Sequence, residues 1–110
     1  MSPKRWVPVC TIDRLVPDRG VAALVEGRQV AVFLLATGEL FAVDNIDPFS
    51  GAAVMSRGLV GDADGAPTVA SPVYKQRFDL GSGRCLDDDS VRIEPWAARK
   101  GGGVVEVCPP

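Results

Sequence analysis

Short apolar runs, each stopped by glycine, proline or a polar pair, set the rhythm of this chain. Such punctuation predicts strands and turns. The first run, residues 6–10, leads into TIDRLVPDRG, which has room for one helical turn before Gly20. A meander follows in prediction: residues 21–25 turn at Glu26-Gly27 into 29–35, and Thr37-Gly38 turns into 40–43. β-Branched and aromatic residues favour strands there, although AAL and LLA alone would also suit a helix. From Asn45 to Pro67 the alternation is lost, and the pattern predicts a long irregular excursion with a helical turn at 52–56. Loops of that length inside a compact domain are usually functional or mobile. Strands are predicted again at 68–70, 78–80, 91–93 and 104–107, with a hairpin turn at 101–103 between the Trp96 region and the last strand. The expectation is one all-β domain spanning residues 1–110 and carrying two functional loops.

Composition narrows the chemistry. The chain has 110 residues, 46% of them hydrophobic, which is enough for one packed core. A 24% charged fraction with a net charge of −2 provides no basic stripe, so no nucleic-acid partner is expected. The opening MSPKRWVPVC has two basic residues but no apolar run after them, which argues against a secretory signal. No segment approaches the roughly 18 unbroken apolar residues of a membrane span, so the reading is cytoplasmic with no membrane partner. Three cysteines, Cys10, Cys85 and Cys108, lie far apart without CxxC pairing, and predict free thiols in a reducing compartment. Cys10 and Cys108 fall in the first and last predicted strands and are candidate neighbours.

The histidine count is zero. That removes Ser-His-Asp and Cys-His nucleophiles, HExxH zinc sites and histidine-ligated iron together. What remains is weak. GDADG at 61–65 lacks the third oxygen position and the closing glutamate of a calcium loop, and reads as a polar turn. Asp87, Asp88 and Asp89 cannot converge from a strand, because neighbours point to opposite faces. GSG at 81–83 and GGG at 101–103 open no helix and are turns. Ser71, Tyr74 and Lys75 lack the Tyr-to-Lys spacing of a short-chain dehydrogenase. Asp44 and Asp47 would form an acid–base pair only if one were strongly desolvated, and Asp44-Asn45 reads as turn chemistry.

Two stretches, FAVDNIDPFSGAAV and VASPVYKQRFDLGSGRCL, carry a more specific pattern. They resemble the two cluster-binding loops of Rieske domains, where C-x-H and C-x-x-H clasp a [2Fe–2S] centre between two thiolates and two imidazoles. The central prolines, Pro48 and Pro72, match, as does Phe78-Asp79 before a glycine turn. The four ligand positions hold Asp47, Phe49, Ser71 and Tyr74 instead. Both spacings survive and every ligand has changed. The ordered elements DPFS, SRG, GD, VASPxYKQ-FDL and CLDD resemble one family, the small subunit of the assimilatory NAD(P)H-dependent nitrite reductase, across nearly the entire chain.

That resemblance implies a Rieske-like antiparallel β-sandwich with a small inserted loop subdomain, its clasp loops at about 45–67 and 71–77. It implies no catalytic residue, no metal and no cofactor in this chain. The large subunit, which carries FAD, an iron–sulfur cluster and sirohaem in that family, is the implied partner, and the isolated chain is expected to be inactive. The alternative is a stand-alone ligand- or protein-binding β domain derived from the same fold. For the vacated positions, Phe49 and Tyr74 are expected to pack across the two loop tips while Asp47 and Ser71 hold loop amides; mobile loops are the competing expectation. Lys75, Gln76 and Arg77 stand beside the tip as candidate partner-interface residues, against a plain solvated strand end.

Overall fold

A computed structural model describes residues 5–110. The leader reading draws partly on residues 1–4, which lie outside the described residues. Among the described residues, nine strands form two antiparallel sheets: β1 Val7–Thr11, β2 Gly20–Val25, β3 Arg28–Leu34, β4 Leu40–Asp44, β5 Leu59–Ala63, β6 Ala66–Ala70, β7 Arg77–Asp79, β8 Pro95–Gly101 and β9 Val104–Cys108. The larger sheet runs β1-β9-β8-β4-β3-β2, and the smaller β5-β6-β7. Single 3-10 turns at Ile12–Arg14 and Met55–Arg57 are the helical pieces among the described residues, one on each of the predicted helical stretches.

The run VAVFLL, residues 30–35, is apolar throughout because β3 is buried on both faces from Val30 to Phe33. Ala31, Phe33 and Leu35 look into a core shared with the small sheet, where they meet Met55, Val69, Phe78, Leu80, Cys85 and Ile93. Val30 and Val32 point the other way, toward Val25, Ala42, Trp96, Val105 and Val107. The strand period of two distributes one continuous apolar run between two cores. Asp44, at the end of β4, accepts from Trp96 Nε1 at 2.7 Å and from Arg28 at 3.1 Å. It therefore ties β3, β4 and β8 together, which corrects its reading as turn chemistry and removes it from any acid–base pair with Asp47.

Two further expectations change. The excursion at 45–67 is ordered in its second half: β5 and the start of β6 lie in it, as a hairpin that runs on to Ala70 and is closed at Asp64-Gly65 with φ of 53° and 90°. Positive φ at both central residues is the two-residue type I′ turn that matches strand twist, and the same pairing of signs recurs at Glu26-Gly27 and Gly102-Gly103. The GDADG turn is thus the hairpin of the inserted sheet, with Asp62 accepting from the Gly65 amide. Residues 91–93 form no strand; Arg92 makes an isolated bridge to Arg84, and the ladder strand is Pro95–Gly101. Its WAARK core is rich in helix formers, and pairing with β4 and β9 overrides that preference.

The cysteines are all free. Cys10 pairs with Val105 and Cys108 with Ala97, so the two sit three positions apart along β9, roughly 10 Å. They are not neighbours. Burial raises the Cys10 thiol above its ordinary range, with Arg14 opposing and Asp13 adding to the rise.

Candidate functional site

The two resembling stretches meet at one end of the molecule. Loop 1 leaves β4 through Asn45, whose buried side chain anchors it in two directions. Its Nδ2 donates to Gln29 Oε1 at 3.1 Å, and its Oδ1 accepts from the Ser56 amide at 2.8 Å. Ile46 then bridges Ala53, which folds residues 47–52 into a tight tip. Loop 2 leaves β6 at Ser71 and returns into β7 at Arg77. Lys75 takes a left-handed conformation, φ 65°, and lets the chain reverse within five residues so that the Ser71 amide reaches the Gln76 carbonyl.

Of the four positions, two converge and two diverge. Asp47 is 0% exposed and Ser71 1%, and Ser71 Oγ donates to Asp47 Oδ2 at 2.5 Å. Asp47 Oδ1 accepts the Phe49 amide, and Ser71 Oγ accepts the Val73 amide, so both residues hold loop amides. Phe49 turns inward onto Phe78, ring centroids 6.1 Å apart. Tyr74 is 62% exposed. The two aromatics therefore do not pack across the tips: the reversal at Lys75 throws residues 72–75 outward while Phe49 follows its loop down to the core. Exposed Ile46, Val73 and Tyr74, with Pro48 and Pro72, leave this end of the molecule apolar.

The donor set decides against a [2Fe–2S] centre here. A Rieske centre takes two thiolates and two imidazoles. These positions hold a carboxylate engaged with a hydroxyl, a phenyl ring in the core and a phenol in solvent. Cys85 is buried against Phe78 in the core, and Cys10 and Cys108 lie on β1 and β9. No group of three or more metal-binding side chains occurs among the described residues. The residues present do not fit the cluster.

Beside the tip, Lys75 is exposed, and Gln76 is half-buried with its Oε1 enclosed and without a partner. Arg77 is held by Asp87, which accepts its amide at 2.8 Å and its guanidinium at 3.3 Å. The aspartate triplet is thereby distributed: Asp87 to Arg77, Asp88 to the Ser90 amide and hydroxyl, Asp89 to Arg84 at 2.8 Å. Sequence reasoning did not foresee these pairings. The Arg77 amide, then its guanidinium, lowers the Asp87 carboxyl below its ordinary 3.8, and Ser90 does the same for Asp88. Depressed carboxyls contribute stability above the unfolded value, lost as pH falls through the folded one. Thermal melts should hold level down to about pH 4 and fall below it, with Asp87→Asn flattening that acid slope.

Comparison with known proteins bears on the same residues. The family described as a Rieske-like [2Fe-2S] domain matches residues 5–108. The chain is 43% identical over 104 residues to the nitrite reductase (NADH) small subunit of Salmonella typhimurium strain LT2, covering 94% of this chain and 96% of that one. A crystal structure of a Mycobacterium tuberculosis chain assigned to the NADH-dependent nitrite reductase small subunit superimposes with a TM-score of 0.95 at 47% identity, over 99% of this chain and 98% of that one. A third relative is much longer. In the nitrite reductase [NAD(P)H] large subunit of Klebsiella oxytoca, 93% of this chain is matched at 39% identity within 11% of the other sequence.

Proposed function

Because the chain belongs to the Rieske-like small-subunit family of nitrite reductases, we propose that it is the non-catalytic small subunit of an NAD(P)H-dependent enzyme that reduces nitrite to ammonia. It acts as a single domain that binds and supports a large subunit, and the FAD, iron–sulfur cluster and sirohaem belong to that partner. One observation carries the non-catalytic half: at the positions where a Rieske domain ligates its cluster, Asp47 and Ser71 are buried and bonded to each other. Electrons have no carrier to occupy at that end. The Klebsiella oxytoca chain supports the partner half, because a domain like this one is there a covalent part of a large subunit. A tether supplies a high effective concentration without an interface, so a separate chain must replace it with a docking surface. Three free thiols suit a reducing compartment, and a cytoplasmic complex is the reading they support. No helix among the described residues is long and apolar enough to cross a membrane.

The docking surface is the loop-tip end. Tyr74 is an exposed aromatic of the kind that anchors interfaces, and Lys75 flanks it, with Gln76 and Arg77 leading back into β7. Arg77 contributes through its hold on Asp87 as well as through any contact of its own. The experiment measures association of the chain with the large subunit, together with NAD(P)H-dependent nitrite reduction by each part and by the complex. The isolated chain should be inactive, and Lys75→Ala/Arg77→Ala should weaken association about tenfold. Unchanged affinity in that variant would remove the loop tip as the docking face. Failure of the wild-type chain to bind any large subunit would leave the stand-alone binding domain as the reading.

A further inference from the structure

Each clasp loop is wound around one residue. Asp47 makes four hydrogen bonds: its amide to Ala52 O, its carbonyl from the Gly51 amide, its Oδ1 from the Phe49 amide and its Oδ2 from Ser71 Oγ. Ser71 also makes four: its amide to Gln76 O, its carbonyl from the Lys75 amide, its Oγ from the Val73 amide and to Asp47 Oδ2. In both cases three bonds close the residue's own loop and the fourth crosses to the other loop. These hubs are 24 residues apart in sequence and are joined by a buried bond of 2.5 Å. Asp47 has no cationic partner among the described ion pairs, so its two oxygens depend on those hydroxyl and amide donors. A buried carboxylate that loses a donor cannot turn to water in place, and the loop must open to relieve it.

We infer that the Asp47–Ser71 bond is a metal-free cross-link that does for these loops what cluster ligation does in the ligand-bearing members of the fold, and that Asp47 and Ser71 are the positioning residues for the docking face. This rests on the docking reading above. Ile46 and Pro48 flank one hub, and Pro72, Val73 and Tyr74 follow the other. The cross-link makes the two sets one surface, already ordered before the partner arrives. Without it, the partner would have to order both loops at the expense of its own binding free energy.

The cross-link predicts an effect in the loop that is not mutated. Hydrogen exchange is read by NMR on the full chain carrying Ser71→Ala, with the large-subunit affinity of the same variant measured in parallel. The amides of Phe49 and Gly51, which donate to Asp47 and not to Ser71, should exchange about tenfold faster or more. Val32 and Val69 in the core should stay protected. Affinity should fall about fivefold to tenfold. Acceleration confined to loop 2 would overturn the cross-link. Loosened loops with unchanged affinity would overturn the positioning role. If Ser71→Ala does not fold, Asp47→Asn, which keeps the side-chain volume, should accelerate the Val73 and Lys75 amides, and unchanged exchange there overturns the inference. Tyr74→Ala separates the two readings: it leaves the hubs intact, so full affinity in that variant counts against the docking face and not against the cross-link.

Discussion

Phe78→Ala should cost about 3–5 kcal/mol of folding stability. Phe78 is fully buried where β7 pairs with Val69 of β6 and bridges Cys85, and it belongs to the core that the small sheet shares with β3 and β4. Its ring is also the floor on which Phe49 rests. Truncation removes the transfer free energy of a large ring and opens a cavity that neighbours on three segments cannot fill together. Some of the loss is local: the Phe49 contact alone is worth about 0.5–1.5 kcal/mol beyond area burial. Urea denaturation of the purified chain measures the total. A loss under about 1 kcal/mol would mean that the small sheet is not packed on the core as described. Exchange at the Phe49 amide should rise with it, because the floor and the Asp47 hub hold the same loop.

This residue also shows how much the sequence could disclose. Phe78-Asp79 before GSG marks a strand end and a turn, and both are present: Phe78 enters the core, while Asp79 Oδ1 accepts the Gly81 and Ser82 amides. The meander β2–β3–β4 was legible because its turns carry glycine and its strands carry Val and Phe. The β5–β6 hairpin was not, because LVGDA and APTVA are short, interrupted by Gly61 and Pro67, and alternate weakly. The Asp64-Gly65 pair was the available signal, and Asp-Gly between apolar segments favours a type I′ turn over a bare loop. Strand β8 was legible only as the Trp96 arm of the 101–103 hairpin, because Ala, Arg and Lys have a local preference that opposes the pairing they adopt. At the site, the spacing of Asp47, Phe49, Ser71 and Tyr74 located both loops. That Tyr74 would turn outward was not readable, since it follows from the left-handed Lys75, whose φ no local pattern announces.

Restoring all four ligands, as Asp47→Cys/Phe49→His/Ser71→Cys/Tyr74→His, should convert the chain into one that takes up iron and sulfide and gains visible absorption. The wild-type chain treated identically should not. The argument starts from the cross-link. Side chains at 47 and 71 already point at one spot, as their 2.5 Å bond requires, so two thiolates there converge on one iron without a change of backbone. The loops are closed by their own backbone bonds, Asp47 with Ala52 and Gly51, Ser71 with Gln76 and Lys75, and none of these depends on the replaced side chains. Position 74 opens outward, leaving room for an imidazole on the solvent side. Position 49 is the demanding one. Phe49 faces Phe78, so an imidazole must give up that contact and turn toward the cluster. Metal binding then supplies the cross-link that the Asp47–Ser71 bond supplies now, and its free energy adds to folding. Iron content and the visible spectrum of the reconstituted variant report the result. A folded, colourless and iron-free variant would mean that these loops have drifted too far from a cluster-binding geometry for ligand chemistry alone to restore it.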